Sequence, residues 1–331
     1  MSKPRGARII GLGAYLPEKV MSNADFEKIV DTSDEWIYSR TGIRQRRIAA
    51  ENEFPSTMGT EAAKAALLNA KLSPDDIDLI LVATMSGDYP SPSTAALVQH
   101  QLKAGKAAAM DIQAACTGFV YALATAKAYI ESGMAKNILV IAAEKMMPLM
   151  DYADRTTCVL FGDGASAAVV SSAGPGLSIG PVVMGSDGSL ADLVIIKGGG
   201  SRHPATNKTL EEGLQYFRMN GKEVYKFAIR KAASIAQECL TAAGISAQEL
   251  SWVVPHQANQ RMMDAIAKEI HLPESKVYSV IEKYGNTSAA GIGIALTELN
   301  QKEKLSPGEN ILLNAFGGGM TWAAILLTKE E

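Results

Sequence analysis

The sequence has little cysteine, no long apolar run and no strong excess of either charge. Its three cysteines, Cys116, Cys158 and Cys239, are widely separated, so they form neither a disulfide framework nor a metal-ligand spacing. No stretch approaches the ~18 unbroken apolar residues of a membrane span. The apolar run at the start is broken by glycines and by Pro17 before it reaches the length of a secretory signal. We therefore expect a cytoplasmic protein in a reducing compartment.

The charge balance argues against a nucleic-acid-binding protein, and the glycine pattern argues against a dinucleotide-binding fold. A net charge of −3 gives no reason to expect nucleic acid as a partner. Gly11 and Gly13 resemble the start of a dinucleotide-binding fingerprint, but Leu16 stands where the third glycine belongs. Pro17 also interrupts the helix that this motif requires. The 331 residues, 47% of them apolar, can bury a large core of one or two domains.

Short apolar runs that favour strands alternate with longer Ala-rich runs that favour helices, which is typical of an α/β fold. The predicted strands cover residues 77–84, 107–114, 137–143, 250–255, 277–281 and 310–314, and the predicted helices cover residues 94–102, 117–131, 260–270 and 287–299. The second half repeats the plan of the first, which indicates a duplicated βαβα unit. We expect halves at 1–175 and 176–331, joined near the Gly/Ser/Pro stretch 171–180, and a surface loop at 198–213.

Cys116 stands in DIQAACTGF, where a predicted strand ends and a predicted helix begins. The N-terminus of a helix carries partial positive charge and free N–H donors, so we expect a lowered thiol pKa and a nucleophilic thiolate. A lone cysteine is also among the most frequently buried residues. This position by itself therefore leaves a nucleophile and a packed apolar side chain both open. Cys158, in an apolar strand, and Cys239, in a helix, are expected to be packed side chains.

Two polar residues and a glycine run lie at comparable positions in the second half. His256 follows the strand WVVP, at the end of the sheet where α/β folds bind ligands, although a structural histidine fits equally. Asn286, in YGNTSAAGIG, occupies the position of the second repeat that corresponds to Cys116, although ordinary helix capping also explains it. The glycines of residues 316–321 (FGGGMT) either expose N–H groups to an oxyanion or form a tight turn.

Cysteine, histidine and asparagine, each in its own motif and in this order, resemble the β-ketoacyl-acyl carrier protein synthase III family. The segments DIQAACTGF, PHQANQRMM, YGNTSAAGI and FGGGMTW carry the resemblance, and EWIYSRTGIRQR and DRTTCVLFGDGA extend it over essentially the whole chain. This family initiates fatty-acid synthesis by condensing an acyl-CoA, here expected to be acetyl-CoA, with malonyl-acyl carrier protein. The resemblance implies a homodimer of the five-layered thiolase fold, built from two pseudo-repeated halves.

The resemblance also implies a role for each matching residue and requires no metal or redox cofactor, since the acyl-CoA is a substrate. Cys116 is the acyl-accepting nucleophile, and His256 and Asn286 are the pair that supports decarboxylation. The N–H groups of Cys116 and Gly318 form the oxyanion hole. The remaining assignments are Trp36, Arg40 and Arg155 for the adenine and phosphate end of CoA, Asn259 for its pantetheine arm, Lys226, Arg261 and Lys268 for docking of the carrier protein, and Ser91 and Phe161 for the acyl pocket. The basic residues also fit an ordinary solvated surface.

The residue type at 286 separates condensation from hydrolysis. His256 and Asn286 can both donate to the enolate oxygen that forms when malonyl thioester loses CO₂, and asparagine does so without charge. A hydrolase would favour a carboxylate there, which orients a histidine base. Elongating synthases pair two histidines with the cysteine, and hydroxymethylglutaryl-CoA synthases use an additional glutamate for which the sequence offers no matching motif.

Two positions depart from the usual pattern of the family. Thr117 stands where alanine is common, close enough to adjust the site. Ser91 stands where a bulky side chain often reaches the acyl pocket of the partner subunit, so we expect starters longer or more branched than acetyl to be accepted. Open alternatives are a condensing enzyme of a specialised polyketide or branched-chain pathway, a Cys-His acyl thioesterase, and a non-catalytic scaffold that binds acyl carriers.

Overall fold

The computed structural model describes residues 6–330. Its strands are β1 (Arg8–Tyr15), β2 (Lys19–Ser22), β3 (Gln45–Ile48), β4 (Leu79–Ala83), β5 (Ala108–Ile112), β6 (Asn137–Glu144), β7 (Gly164–Ser171), β8 (Leu177–Ser186), β9 (Val194–Ile196), β10 (Phe217–Met219), β11 (Leu250–Pro255), β12 (Asn310–Gly317) and β13 (Thr321–Lys329). Its helices are α1 (Asn23–Phe26), α2 (Asp34–Thr41), α3 (Pro55–Ala70), α4 (Thr94–Leu102), α5 (Gly118–Glu131), α6 (Asn207–Glu211), α7 (Gly221–Ala243), α8 (Gln260–Glu269), α9 (Ile281–Tyr284) and α10 (Ala290–Lys302). None of these helices has the length and apolar character needed to cross a membrane.

The core strands pair in one continuous order, β11-β12-β13-β8-β1-β7-β6-β4-β5. They form two sets: the first contains β1, β4, β5, β6 and β7, and the second contains β8, β11, β12 and β13. In the part of the chain that the structure describes, strands of the two sets pair with each other only where β1 meets β8, with Arg8 opposite Ser178 and Ile9 opposite Leu177. Helices α3 and α4 cover the outer face of the first set, and α7 and α8 pack on the outer side of the second. Helices α5 and α10 lie between the sets in the main hydrophobic core. The layers are therefore αβαβα, as predicted.

The two sets are built in the same chain order. The first runs β1-α3-β4-α4-β5-α5-β6-β7, and the second runs β8-α7-β11-α8-α10-β12-β13. In the second set the place of β5 is taken by Val277, which makes an isolated parallel bridge to Val253 of β11. The division at residues 175 and 176 stays a prediction, supported by the end of β7 at Ser171 and the start of β8 at Leu177.

Most predicted elements are confirmed to within a few residues, including the cap of α4, where the Ser93 hydroxyl accepts the Ala96 N–H. Three predictions are wrong. Residues 277–281 form no strand beyond the bridge at Val277, because a 3₁₀ turn (Glu274–Lys276) directly precedes them and α9 already begins at Ile281. Cys158 lies in a run of turns that buries its thiol, not in a strand. The predicted loop 198–213 contains α6.

Small residues let the two central helices start side by side. A Cβ built on Gly118, the first residue of α5, would lie 2.9 Å from the Cβ of Ala83 and 3.4 Å from that of Ala289, just before α10. A Cβ built on Gly293 of α10 would lie 2.1 Å from Ser166 Oγ. Close packing of this kind tolerates no added methyl group without movement. It also brings the turns that precede α5 and α10 into contact.

Candidate active site

Cys116 lies in a 3₁₀ turn (Ala115–Thr117) between β5 and α5. Ala115 holds a left-handed backbone with φ of 45°, a conformation that residues with a side chain adopt rarely and that recurs at functional sites. The end of β12 comes very close to this turn, since a Cβ on Gly317 would lie only 2.8 Å from the Cys116 nitrogen. Glycine is therefore required at 317 for the two backbones to approach each other.

Thr117 joins the cysteine turn to the glycine turn that follows β12. Its hydroxyl donates to the Ala114 carbonyl at 2.6 Å and contacts the Thr321 hydroxyl at 2.8 Å. Thr321 in turn contacts the Gly318 carbonyl at 3.1 Å. The departure from alanine at 117 thus adds a hydrogen-bonded link between the cysteine turn and the glycine turn.

His256 directly follows β11 and is buried, with its N–H donating to the Asn314 carbonyl at 2.7 Å. Its ring packs edge-on against Phe316, with centroids 5.1 Å apart. Burial lowers the pKa of the imidazole to about 3, so the ring is neutral near pH 7. Nδ1 has no hydrogen-bond partner among residues 6–330. No carboxylate therefore orients the ring within the part of the chain that the structure describes.

Asn286 is held by its backbone on both sides and by its side-chain oxygen. Its N–H donates to Leu160 at 2.8 Å, and its carbonyl accepts the Gly162 N–H at 3.1 Å. Its Oδ1 accepts the Ser288 N–H at 2.9 Å. Because this hydrogen bond occupies the side-chain oxygen, the Nδ2 amide group is free to donate toward a ligand. The side chain is thus prepared as an uncharged donor.

One cavity of about 300 Å³ contains most of the predicted site residues. Its lining includes Cys116, His256, Asn286, Gly318, Phe161, Asn259, Trp36 and Arg40. Phe161 is buried and meets Phe217 edge-on, with centroids 5.0 Å apart. Apolar walls with a few convergent polar groups are typical of a substrate site.

The remaining predicted residues lie outside this cavity. Arg155 is exposed, binds Asp31 and has its guanidinium 5.3 Å from the Trp36 ring centroid, while Arg40 flanks the same ring at 4.8 Å. Ser91 is exposed. Lys226 and Arg261 line a concave basic surface together with Arg40, Asn259 and Lys222. Lys268 is exposed in the last turn of α8 and does not line that surface.

The predicted lowering of the Cys116 pKa is wrong for this site. Burial is the main cause that raises the pKa of the thiol to about 12; the Ser288 hydroxyl lowers this pKa in part, and the nearby Glu144 carboxylate acts in the raising direction. A largely apolar cavity disfavours a thiolate more than the helix start favours it. A neighbouring group that accepts the thiol proton would therefore favour acyl transfer to this sulfur.

Sequence reasoning missed Glu144 and Ser288, which lie directly behind Cys116. The Ser288 hydroxyl is 3.6 Å from the Cys116 sulfur and 3.1 Å from Glu144 Oε1. The sequence holds one signal for Glu144, because it ends the otherwise apolar run NILVIAAE. A carboxylate in a buried strand is rarely accommodated without a specific partner.

A thiol, a neutral imidazole and an amide donor around one apolar cavity suit acyl transfer to sulfur followed by attack of an enolate. The αβαβα layers and this site define a condensing acyltransferase of the thiolase fold. Two family models match the chain: 3-oxoacyl-[acyl-carrier-protein] synthase III at residues 110–188 and its C-terminal part at residues 240–329.

The comparisons with individual proteins agree. The chain is 50% identical over 332 residues to the β-ketoacyl-[acyl-carrier-protein] synthase III of Chlamydia caviae, covering 100% of this chain and 99% of the relative. It is 46% identical to that of Caldanaerobacter subterraneus, covering 99% of each. The crystal structure of 3-oxoacyl-[acyl-carrier-protein] synthase III from Aquifex aeolicus superposes with a TM-score of 0.90 at 50% identity, covering 98% of this chain and 100% of the other.

The chain belongs to the β-ketoacyl-acyl carrier protein synthase III family. It is an acyltransferase that catalyses the initiating condensation of fatty-acid synthesis.

Proposed function

We propose that the chain condenses an acyl-CoA with malonyl-acyl carrier protein through an acyl-Cys116 intermediate, without a metal or redox cofactor, in the cytoplasm. The observation that carries the proposal is that Cys116, His256 and Asn286 line one cavity. Transfer of the acyl group to sulfur keeps it activated as a thioester. The N–H groups of Cys116 and Gly318 are proposed to bind the oxyanion, which the close approach of Gly317 to the Cys116 nitrogen supports.

The second half of the reaction uses neutral donors. His256 is uncharged because burial lowers the pKa of its imidazole to about 3. Asn286 has its Oδ1 occupied by the Ser288 N–H, so its amide hydrogens are available. Both groups can stabilise the enolate oxygen of malonyl thioester after CO₂ leaves, and neither repels the malonyl carboxylate. Removing one such donor typically costs on the order of 10²–10³ in rate.

The mouth of the cavity suits a nucleotide. Trp36 and Arg40 line it, and the guanidinium of Arg155 lies 5.3 Å from the Trp36 ring. An adenine ring can stack on an indole and guanidinium planes, and Asn259 is proposed to contact the pantetheine arm. Lys226 and Arg261, on the basic surface beside the mouth, are proposed to dock the acidic carrier protein. The position of Lys268 adds no support for its proposed part in docking.

A homodimer is proposed on the edge strand β5. This strand ends the sheet order, and an unpaired edge is a template for pairing with a second copy. Ser91 lies near this edge, because the Thr94 N–H is bound by Asp111 of β5 at 2.8 Å. A side chain at position 91 can thus reach a partner subunit across β5. We propose that it forms part of the wall of that subunit's acyl pocket, as Phe161 does within each chain.

The small Ser91 supports a second candidate, a condensing enzyme that primes a specialised polyketide or branched-chain pathway. The chain is 35% identical to a structure named as the priming β-ketosynthase from the R1128 polyketide biosynthetic pathway, with a TM-score of 0.90, covering 100% of this chain and 98% of the other. The two candidates share the same reaction and differ in the starter group. Competition between acetyl-, butyryl- and isobutyryl-CoA distinguishes them.

The test is mass spectrometry of the protein after incubation with mixed acyl-CoAs, before and after malonyl-acyl carrier protein is added. We expect the acyl group on the peptide that contains Cys116, and CO₂ and 3-oxoacyl-carrier protein only after the second addition. Cys116→Ala abolishes acylation, whereas Cys239→Ala, in helix α7, retains it. Asn286→Asp retains acylation but lowers condensation by about 10²–10³-fold. Release of free acid without condensation would instead establish a thioesterase.

A further inference from the structure

Glu144 is a fully buried carboxyl group at the end of β6. Its oxygens accept hydrogen bonds from the Ser86 hydroxyl at 2.5 Å, the Ser288 hydroxyl at 3.1 Å, the Met85 N–H at 3.2 Å and the Thr84 hydroxyl at 3.3 Å. All four contacts are donors, which a carboxylate satisfies and a carboxylic acid satisfies only in part. A buried carboxyl group beside the nucleophile, with no cationic partner among residues 6–330, is a candidate functional residue.

The hydrogen bonds have a direction that runs from Cys116 to Glu144. The Ser288 hydroxyl carries one hydrogen, which it donates to Glu144 Oε1. In the 3.6 Å contact between Ser288 Oγ and Cys116 Sγ, the thiol is therefore the donor. Among residues 6–330, Ser288 provides the one side-chain hydrogen bond to this sulfur. Ser288 is held there in a left-handed backbone conformation with φ of 51°, as strained functional residues often are.

We propose that Glu144, acting through Ser288, takes up the Cys116 proton during acyl transfer and returns it when condensation frees the sulfur. This inference rests on the proposed role of Cys116 as the acyl acceptor. Glu144 contacts no reacting atom and acts on Cys116 through Ser288, so we class it as a positioning residue. The negative charge moves from the carboxylate to the sulfur, so this proton transfer adds no net charge to the buried site.

The proton balance closes over both halves of the reaction. In the first half, the thiol proton passes to Ser288 Oγ and the Ser288 proton passes to Glu144. The sulfur then bonds to the acyl carbon, and the CoA thiolate leaves and takes a proton from water. In the second half, the malonyl carboxylate leaves as CO₂, the enolate carbon bonds to the acyl carbon, and the Cys116 sulfur leaves as a thiolate. Glu144 then returns the proton through Ser288.

The surroundings of Glu144 leave it free for this task. Burial raises the pKa of Glu144 to about 7, although its four donors act in the opposite direction. The neighbouring Lys145 ammonium is bound to backbone carbonyls of residues 50 and 53. Asp163 is occupied by three backbone N–H groups, including those of Met146 and Met147. The titratable group that Glu144 reaches through a hydrogen-bonded neighbour is the Cys116 thiol.

A purely electrostatic role for Glu144 predicts the opposite sign of effect. The Glu144 charge raises the pKa of the Cys116 thiol, so its removal by Glu144→Gln would favour the thiolate and speed acylation. Loss of the proton path slows acylation instead. The direction of the change therefore distinguishes the two roles.

The experiment measures the single-turnover rate of Cys116 acylation by acyl-CoA between pH 5.5 and 9, using mass spectrometry. We expect Glu144→Gln and Ser288→Ala each to lower this rate by about 10²-fold near pH 7.5, the scale of general acid–base catalysis, with no further loss in the double variant. The wild-type rate rises through the Glu144 pKa of about 7, and this step disappears in both variants. Ser166→Ala, which removes a buried hydroxyl that has no partner among the described residues, is the matched control and keeps the wild-type profile.

Two further readouts separate the proton path from a structural effect. Half-saturation by acyl-CoA stays unchanged, and decarboxylation of malonyl-acyl carrier protein without acyl-CoA stays within about twofold, because neither Trp36 and Arg40 nor His256 and Asn286 are altered. Acylation of Glu144→Gln or Ser288→Ala at the wild-type rate or faster overturns the proposed path. Absence of any acyl group on Cys116 in the wild-type protein would overturn the acceptor role as well, so the two failures are distinguishable.

Discussion

At the scale of single residues, the size of the side chain at 91 is expected to set the range of starters. Ser91 is exposed in the single chain, so a larger residue there changes the acyl pocket only if it reaches a second subunit. We predict that the wild-type protein uses butyryl- and isobutyryl-CoA at rates within about tenfold of acetyl-CoA. Ser91→Phe lowers use of the two larger starters by about 10–200-fold and retains acetyl-CoA, as one or two carbons of space imply.

The measurement is kcat/KM for the three acyl-CoAs, with Ser91→Ala as the control that keeps the pocket open. Because position 91 is solvent-exposed in the single chain, unfolding of each variant in urea should match that of the wild type. A strong preference of the wild-type protein for acetyl-CoA would contradict the prediction, and so would an unchanged starter profile in Ser91→Phe.

At the scale of elements, the contact between α10 and β7 depends on the absence of a side chain at 293. A Cβ on Gly293 would lie 2.1 Å from Ser166 Oγ, 2.6 Å from Ser166 Cβ and 3.1 Å from the Phe119 ring. We predict that Gly293→Ala lowers the free energy of unfolding by about 1–3 kcal/mol, since overpacking outweighs the gain in helix propensity.

Equilibrium unfolding in urea measures this change. Gly105→Ala is the control, because a Cβ at 105 meets nothing within 4 Å and stability there should stay within about 0.5 kcal/mol. Ser166→Gly removes both of the closest atoms and should restore part of the stability when combined with Gly293→Ala. Equal free energies of unfolding for Gly293→Ala and Gly105→Ala would contradict the prediction, since α10 would then accommodate the added methyl group without loss of stability.

At the scale of the whole molecule, the proposed dimer depends on the free edge of β5. The Ala108 N–H donates to the Asp78 carbonyl at 3.0 Å, so the next N–H along the strand, that of Ala109, points away from β4. Proline at 109 removes a donor that β4 does not use, and it blocks pairing with a second copy. We predict that Ala109→Pro converts a dimer to a folded monomer.

Light scattering after size-exclusion chromatography measures the mass, and circular dichroism confirms the fold. Ala109→Val, which retains the N–H and favours strands, is the matched control and remains dimeric. Cys116 follows the end of β5 by only four residues, so the monomer should also lose acylation activity. A dimer of unchanged mass in Ala109→Pro would exclude pairing through this edge.

Much of the fold was accessible from the sequence because local patterns decide it. Strand β4 and helices α4 and α5 are confirmed, since their apolar periodicity, the Ser93 cap and Gly133 beyond α5 act over a few neighbouring residues. The pattern around Val277 is as apolar as a strand, yet it makes only one bridge. Whether a short apolar run pairs depends on the neighbour it meets, which the run itself does not encode.

The sequence by itself determined the alternation of elements, the duplication, and the motifs that contain Cys116, His256 and Asn286. Only the tertiary structure decided how these groups are ionised and what lies behind them. The helix start predicted a lowered thiol pKa, but burial in the cavity raises it to about 12. Glu144 and Ser288 are 144 residues apart and meet because the turn that precedes α10 lies against the end of β6. Solvation and such distant contacts depend on the whole packed structure, so no local pattern reveals them.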